Sequence, residues 1–400
     1  MRQTISIGNE ALEGWSNFSD WIAGQAVSSP DIEIEDSGDV LQMYTSGTTG
    51  KPKGVVLTHR KVTVNISQSA GLCRDEWRGR SLIAAPLYHV AAAVVCWGTV
   101  FWGDPLLIHR DFVPAEAVRA LSEDNVGLAL LVPAMIQACL MAVPDVAERS
   151  YDGLNGMVYG ASPIAEATLR RGMEVFGCGF VQAYGMTESS PVLTLLTAAD
   201  HRRAVAGESR LLLSAGRAVA GTDLKIVDGD DREVPRGQVG EIVARGAQVM
   251  KEYWKRPKAT AETLRGGWLH TGDAASMDEE GFVYIQDRVK DMIVSGGENI
   301  YPREIEDVLF ELPAVVDAAV IGVPSEQWGE SVKAILVVKA EGAPTEDEIL
   351  KFCRTKLGRY KVPRSVDFVE ALPRNPSGKV LKRELRKKYW EGHGRRVAGS

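Results

Sequence analysis

Between Val126 and Ala183 the chain alternates short apolar runs with segments of helical spacing, and no other feature restricts its fold as strongly. Gly127 to Leu131, Met157 to Tyr159 and Phe180 to Ala183 read as strands, while Pro133 to Met141 and Ile164 to Phe176 read as the helices between them. That alternation predicts an α/β domain with a doubly wound, mainly parallel sheet and crossover helices. In such sheets ligands lie beyond the carboxyl ends of the strands. Two polar turns fall at those ends, Gly160-Ala161-Ser162-Pro163 and Tyr184-Gly185-Met186-Thr187-Glu188.

A third polar stretch, YTSGTTGKPKGV from Tyr44 to Val55, lies between the apolar runs Val40 to Met43 and Val55 to Leu57. It carries the hydroxyls of Tyr44, Thr45, Ser46, Thr48 and Thr49 together with Gly47, Gly50, Gly54, Lys51 and Lys53. Glycines let successive backbone N–H groups converge on an anion, so the composition suits a phosphate cradle. It is not a Walker A loop, because Gly47 and Gly50 are too close and Pro52 follows Lys51. A polar hairpin turn would have the same composition.

From Leu211 the pattern changes to short strands and turns (Asp223 to Val227, Glu241 to Ala244, Phe282 to Ile285), which predicts a small β-rich subdomain. Within it, Asp273 suits the two hydroxyls of a ribose and Arg288 suits the same sugar as a donor, although either also suits an ordinary surface. After Asp291 a compact α+β unit follows. Pro302 opens a helix through Leu312, Val315 to Val323 and Val332 to Val338 read as strands, and Thr345 with Glu348 forms a capping box. Lys379 to Arg396 is basic and begins as a helix.

The net charge of −7 over 400 residues argues against nucleic acid as a bulk partner. Five scattered cysteines without a C-x-x-C pair, and six dispersed histidines, point to reduced thiols and away from a His/Cys metal site. Neither a membrane-spanning run nor the apolar core of a signal peptide is present, so a cytoplasmic location is expected. Arg74, Arg78 and Arg80 around Trp77 suit a solvated loop or a peripheral contact with anionic lipid.

Taken together, these stretches resemble, in order, the motifs of the acyl-adenylate-forming enzymes: acyl-CoA synthetases, adenylation domains of peptide synthetases, and luciferases. PLYHV at Pro86, KDMIVSGGENIYP at Lys290, LGRYKVP and PRNPSGK are most similar to bacterial fatty-acid CoA ligases. The resemblance implies ATP, Mg²⁺ and coenzyme A. It implies that Thr45, Ser46, Gly47, Thr48, Thr49, Gly50 and Lys51 hold the phosphates, with Thr187 adding a hydroxyl and Glu188 a ligand for Mg²⁺. Gly160, Ala161, Ser162, Tyr184, Gly185 and Met186 would flank the adenine, and Asp273, Ile285 and Arg288 would complete the nucleoside site. His89 would line the acyl site, and Lys379 would act on the α-phosphate and the acid carboxylate.

The resemblance further implies a core over residues 1–289 and a mobile C-terminal lid over 290–396. The lid would turn about a hinge at Lys290 and bring Gly296, Gly297 and Glu298 to the coenzyme A tunnel. Members of the family carry a longer region before the phosphate loop, so the chain is expected to lack an N-terminal lobe and to expose sheet edges and apolar surface. A medium- or long-chain fatty acid is the expected substrate. An aryl or phenylpropenoid acid, and a truncated nucleotide-binding fragment without turnover, are the alternatives. A homodimer and peripheral membrane contact are further expectations.

Overall fold

The computed structural model describes residues 4–7, 13–28, 31–45, 52–162, 164–288, 291–340, 342–374 and 379–391, except 71–78. The chain divides by compactness into Met1–Gly38 and Asp39–Ser400. In the first unit Ile5–Ser6 pairs in parallel with Ser16–Asn17, and Asn17 caps the helix Phe18–Ala23 by accepting from the Ser19 N–H at 2.9 Å. None of that helix is buried.

The second unit is built on a seven-stranded sheet in the order Arg217–Ala218, Val192–Leu196, Gly179–Gly185, Gly156–Gly160, Val126–Leu130, Arg80–Ile83, Leu106–Ile108. The last five strands are mutually parallel, Val192–Leu196 runs antiparallel to them, and Arg217–Ala218 runs antiparallel to Val192–Leu196. The expected alternation is therefore realised. Val126–Leu130 is buried at every position, as a strand covered on both faces requires. The helices Pro133–Ala142 and Glu166–Phe176 pack Ile136, Leu169 and Phe176 against Met157, Tyr159 and Phe180. Gly177, at φ 59°, ends the second helix in the left-handed conformation that releases the chain into the next strand. Apolar surface is exposed near the Leu106–Ile108 edge, at Val100, Phe101 and Ile108.

Three smaller sheets surround this one. Asp39–Thr45 and Lys53–Thr58 form an antiparallel hairpin, joined on its far side by Glu252–Tyr253. Tyr44 and Thr45, expected in the loop, belong to the strand. The β-rich part is a four-stranded antiparallel sheet, Thr222–Val227, Gly240–Gly246, Leu269–Met277, Val283–Arg288. After Asp291, Ile293–Ser295 and Glu298–Ile300 form a hairpin whose turn is Gly296-Gly297 at φ 62° and 88°. Both positive angles fit the two-residue turn that matches strand twist. The strands Gly329–Val338, Val315–Ser325 and Ser365–Phe368 complete that sheet under the helices Pro302–Phe310 and Glu346–Lys356. The capping box at Thr345 and Glu348 forms as expected. The final helix begins at Lys382, so Lys379 precedes it, outside any helix or strand. No helix among the described residues is long and apolar enough to cross a membrane.

Candidate active site

The carboxyl ends of the two central strands, Gly156–Gly160 and Gly179–Gly185, demand glycine for steric reasons. A Cβ on Gly160 would lie 2.2 Å from the Ala183 carbonyl oxygen, and one on Gly185 would lie 1.8 Å from that of Pro191. Ala161 then adopts φ 63° without being glycine. Non-glycine residues held in that region concentrate at ligand-binding turns. The turn is thus shaped by packing, and Ser162 is half-buried beside it.

Tyr184 crosses from this edge to the four-stranded sheet, where its hydroxyl donates to Asp273 Oδ2 at 2.9 Å. Burial, reinforced by the Asp273 charge, raises the Tyr184 phenol well above its ordinary value and keeps it a donor. Asp273 faces Arg288 across the antiparallel ladder, with Arg288 Nε 3.4 Å from Asp273 Oδ1. At that separation the charges attract, yet the buried Nε finds no hydrogen-bond partner among the described residues. An unused donor and a carboxylate oxygen side by side fit the vicinal hydroxyls of a ribose. Ile285, on the Arg288 strand, packs with Tyr184 on the same apolar cluster.

Thr187 opens a single 3₁₀ turn, Thr187–Ser189, that buries Glu188. Glu188 Oε1 accepts from the Tyr253 hydroxyl at 2.6 Å. Tyr253 in turn pairs with Val55, and Lys53 Nζ stands 4.5 Å from its ring centroid. The Glu188 turn is therefore fastened to the Asp39–Thr58 hairpin. Asn65, fully buried in the helix His59–Ala70, adds a second tie by bonding both the N–H and the carbonyl of Val192.

Lys379 lies within electrostatic reach of Arg288, Asp273, Asp291 and Asp287. Burial, with the like charge of Arg288, pushes its ammonium down to about 8 against the pull of the three aspartates. His89 caps the helix Val90–Trp102 on the same carboxyl edge of the large sheet, half-buried, and burial lowers its pKa. Gly296, Gly297 and Glu298 form an exposed hairpin tip. Trp328 lies over it, where a Cβ on Gly296 would approach the ring to 2.8 Å.

The structure thus brings together Tyr184, Asp273, Ile285, Arg288 and Lys379, and separately Glu188 with the strand that follows the phosphate stretch. Ser46 to Lys51, Pro163 and Lys290 lie outside the described residues, as do Arg74, Trp77 and Arg78.

Residues 5–254 match the family model for AMP-binding enzymes, and residues 304–379 that for the AMP-binding enzyme C-terminal domain. The chain belongs to the AMP-binding enzyme family. A feruloyl-CoA synthase of Amycolatopsis is 42% identical to this AMP-binding enzyme over 365 residues, covering 90% of the chain and 72% of the relative. The long-chain-fatty-acid–CoA ligase FadD13 of Mycobacterium tuberculosis is 38% identical over 380 residues, covering 94% and 73%. The ATP-bound crystal structure of MatB from Rhodopseudomonas palustris superposes with a TM-score of 0.87 at 29% identity, covering 96% of this chain and 74% of that one. The AMP-binding enzyme described here is an AMP-forming acid–CoA ligase, the class that uses ATP, coenzyme A and Mg²⁺.

Sequence reasoning did not single out Tyr253, Trp328 or Asp287 for these contacts. Tyr253 lies 65 positions from Glu188, and a contact at that separation leaves no local signal. Trp328 announces itself only through its exposure, which requires the fold.

Proposed function

We propose that this AMP-binding enzyme activates a medium- or long-chain fatty acid as its acyl-adenylate on a core spanning residues 1–289. A lid spanning residues 290–396 then turns about Lys290 for transfer to coenzyme A. The observation that carries the reading is that Lys379 lies within electrostatic reach of Asp273 and Arg288. An ammonium at the sugar site is placed for the adjoining α-phosphate.

A carboxylate is a poor electrophile because its carbonyl carbon is already electron-rich. Attack of its oxygen on the α-phosphorus expels pyrophosphate and leaves a mixed anhydride with AMP as a good leaving group. Such transfers are accelerated mainly by alignment and charge neutralisation. Asp273, Arg288 and Tyr184 fix the nucleoside, the Gly160–Ser162 and Gly185–Met186 turns flank the base, and Ser46 to Lys51 with Thr45 and Thr187 take the phosphates. Lys379 neutralises charge accumulating at the α-phosphate, and His89 borders the acyl group. The thiol of coenzyme A then attacks the acyl carbon, releasing AMP, with Gly296 to Glu298 beside the incoming chain.

Glu188 fits Mg²⁺. Its Oε1 accepts from Tyr253, and no second protein hydrogen bond to its carboxylate is seen among the described residues. One carboxylate plus phosphate and water oxygens is the usual Mg²⁺ set. The ion, when bound there, would neutralise the triphosphate.

The test of the acid is coenzyme A-dependent pyrophosphate release across saturated acids of graded length and ferulate. Highest kcat/KM with medium or long chains is expected. Highest kcat/KM with ferulate would overturn this choice in favour of the aryl reading, which the likeness to feruloyl-CoA synthase supports. ATP binding without pyrophosphate exchange with any acid would identify a nucleotide-binding fragment. A cytoplasmic location accords with free thiols at Cys96, Cys139, Cys178 and Cys353. Of the three arginines that suit a lipid contact, Arg80 has an intramolecular use, donating to the Asp124 carbonyl at 2.7 Å.

The depressed Lys379 pKa makes the first half-reaction pH-dependent. The ammonium is the working form and is held at about 8 instead of 10.5, so it is lost as pH rises through 8. The kcat/KM for adenylation, which reports the free enzyme, is expected to decline above that pH. Lys379→Arg, charged throughout, should retain activity beyond pH 9. An alkaline limb unchanged by that substitution would assign the titration elsewhere.

A further inference from the structure

Three positions beyond Lys379, at the start of the helix Lys382–Trp390, Lys382 is enclosed by two carboxylates. Its Nζ lies 3.0 Å from Asp287 Oδ2 and 2.8 Å from Glu306 Oε1, and all three side chains are largely buried, at 13%, 10% and 10% exposure. Each carboxylate is itself held. Asp287 Oδ1 accepts from the Arg288 N–H at 2.6 Å, and Glu306 Oε1 accepts from the Val320 N–H at 2.8 Å. One helical turn on, Arg386 donates to Asp291 Oδ1 at 2.7 Å and to the Asp291 carbonyl at 3.3 Å. Residues i and i+4 share a helix face, so one face grips the chain at both Asp287 and Asp291.

Asp287 is the immediate neighbour of Arg288, which pairs with Asp273. The contact of Lys382 with Asp287 therefore ties the segment that follows Lys379 to the strand that carries the nucleoside site. We infer that Lys382 is a positioning residue for Lys379, holding it at the Asp273–Arg288 pair through Asp287 and anchoring the same helix to the C-terminal domain through Glu306. This rests on the reading that Lys379 serves adenylation and withdraws for thioester formation. The contact with Asp287 then belongs to the first half-reaction and is absent from the second, while that with Glu306 persists in both.

Misplacing a charge-neutralising group by about 1 Å costs on the order of 10²-fold in rate. In Lys382→Met the kcat of acid-dependent ATP–pyrophosphate exchange should fall on the order of 10- to 100-fold. The KM for ATP should change little, and thioester formation from synthetic acyl-adenylate and coenzyme A should persist. Lys382→Arg should restore most of the exchange, since a guanidinium can bridge the same carboxylates.

Lys382→Met leaves two carboxylates without their cation, so Asp287→Asn, which keeps the shape and the Glu306 contact, is the second variant. It should show the same selective loss. A merely structural role would lower the melting temperature and depress both half-reactions together, and that outcome overturns the inference, as does unchanged exchange in Asp287→Asn. Lys379→Ala measured in parallel separates the two claims. If it leaves exchange intact, the reading of Lys379 fails; if it abolishes exchange while Asp287→Asn does not lower it, only the positioning role fails.

Discussion

Replacing Lys379 with alanine should lower acid-dependent ATP–pyrophosphate exchange by roughly 10²–10³-fold, the loss typical of one preorganised group facing developing charge. Binding should suffer less than turnover, because charge at the α-phosphorus grows towards the pentacovalent arrangement and an interaction strengthened there acts on kcat. Thioester formation from supplied acyl-adenylate should persist at near the parent rate. The geometry behind this expectation is the proximity of Lys379 to Arg288 and the aspartates 273, 287 and 291. Mixed charge around it is informative: Arg288 opposes the ammonium, and the three carboxylates retain it. Rapid-quench measurement of each half-reaction decides the matter, and equal loss of both would show that Lys379 does not serve adenylation alone.

Asp273→Ala should act on the nucleotide. Its carboxylate accepts from Tyr184 and pairs with Arg288, so removal leaves a buried phenol and a guanidinium uncompensated and, on the proposed reading, takes away the sugar acceptor. A hydrogen bond to a charged group contributes about 1.5–3 kcal/mol, which corresponds to a rise of roughly 10- to 150-fold in the KM for ATP. The KM for the acid substrate should change much less. Tyr184→Phe, which deletes only the donor, should give a smaller shift in the same direction. If the KM for ATP stays unchanged in Asp273→Ala while the melting temperature falls, the cluster is structural and the sugar binds elsewhere.

The periodic part of the chain was legible because burial writes it into composition. Val126–Leu130 is apolar at every position since both faces are covered, and the proline-led helix Pro133–Ala142 announces its own start. The Thr345–Glu348 box was legible for the same local reason. Asp273 and Arg288 could be nominated from chemistry and family likeness, but their pairing across a ladder depends on register, which no local pattern states. The contacts of Glu188 with Tyr253 and of Lys382 with Asp287 span 65 and 95 positions. Long-range polar partners are chosen by the packed fold, and the same residue types on a surface would look identical in sequence.

Asp273 and Arg288 occupy one rung of a sheet that continues from Leu269–Met277 through Gly240–Gly246 to Thr222–Val227. Slipping either strand by one residue would turn its side chain to the opposite face, so the Asp273–Arg288 pairing cannot soften gradually. It persists until that sheet unzips. In the proposed cycle the Asp273–Arg288 pair would therefore be the fixed jaw, and the movement would fall to the segment that carries Lys379.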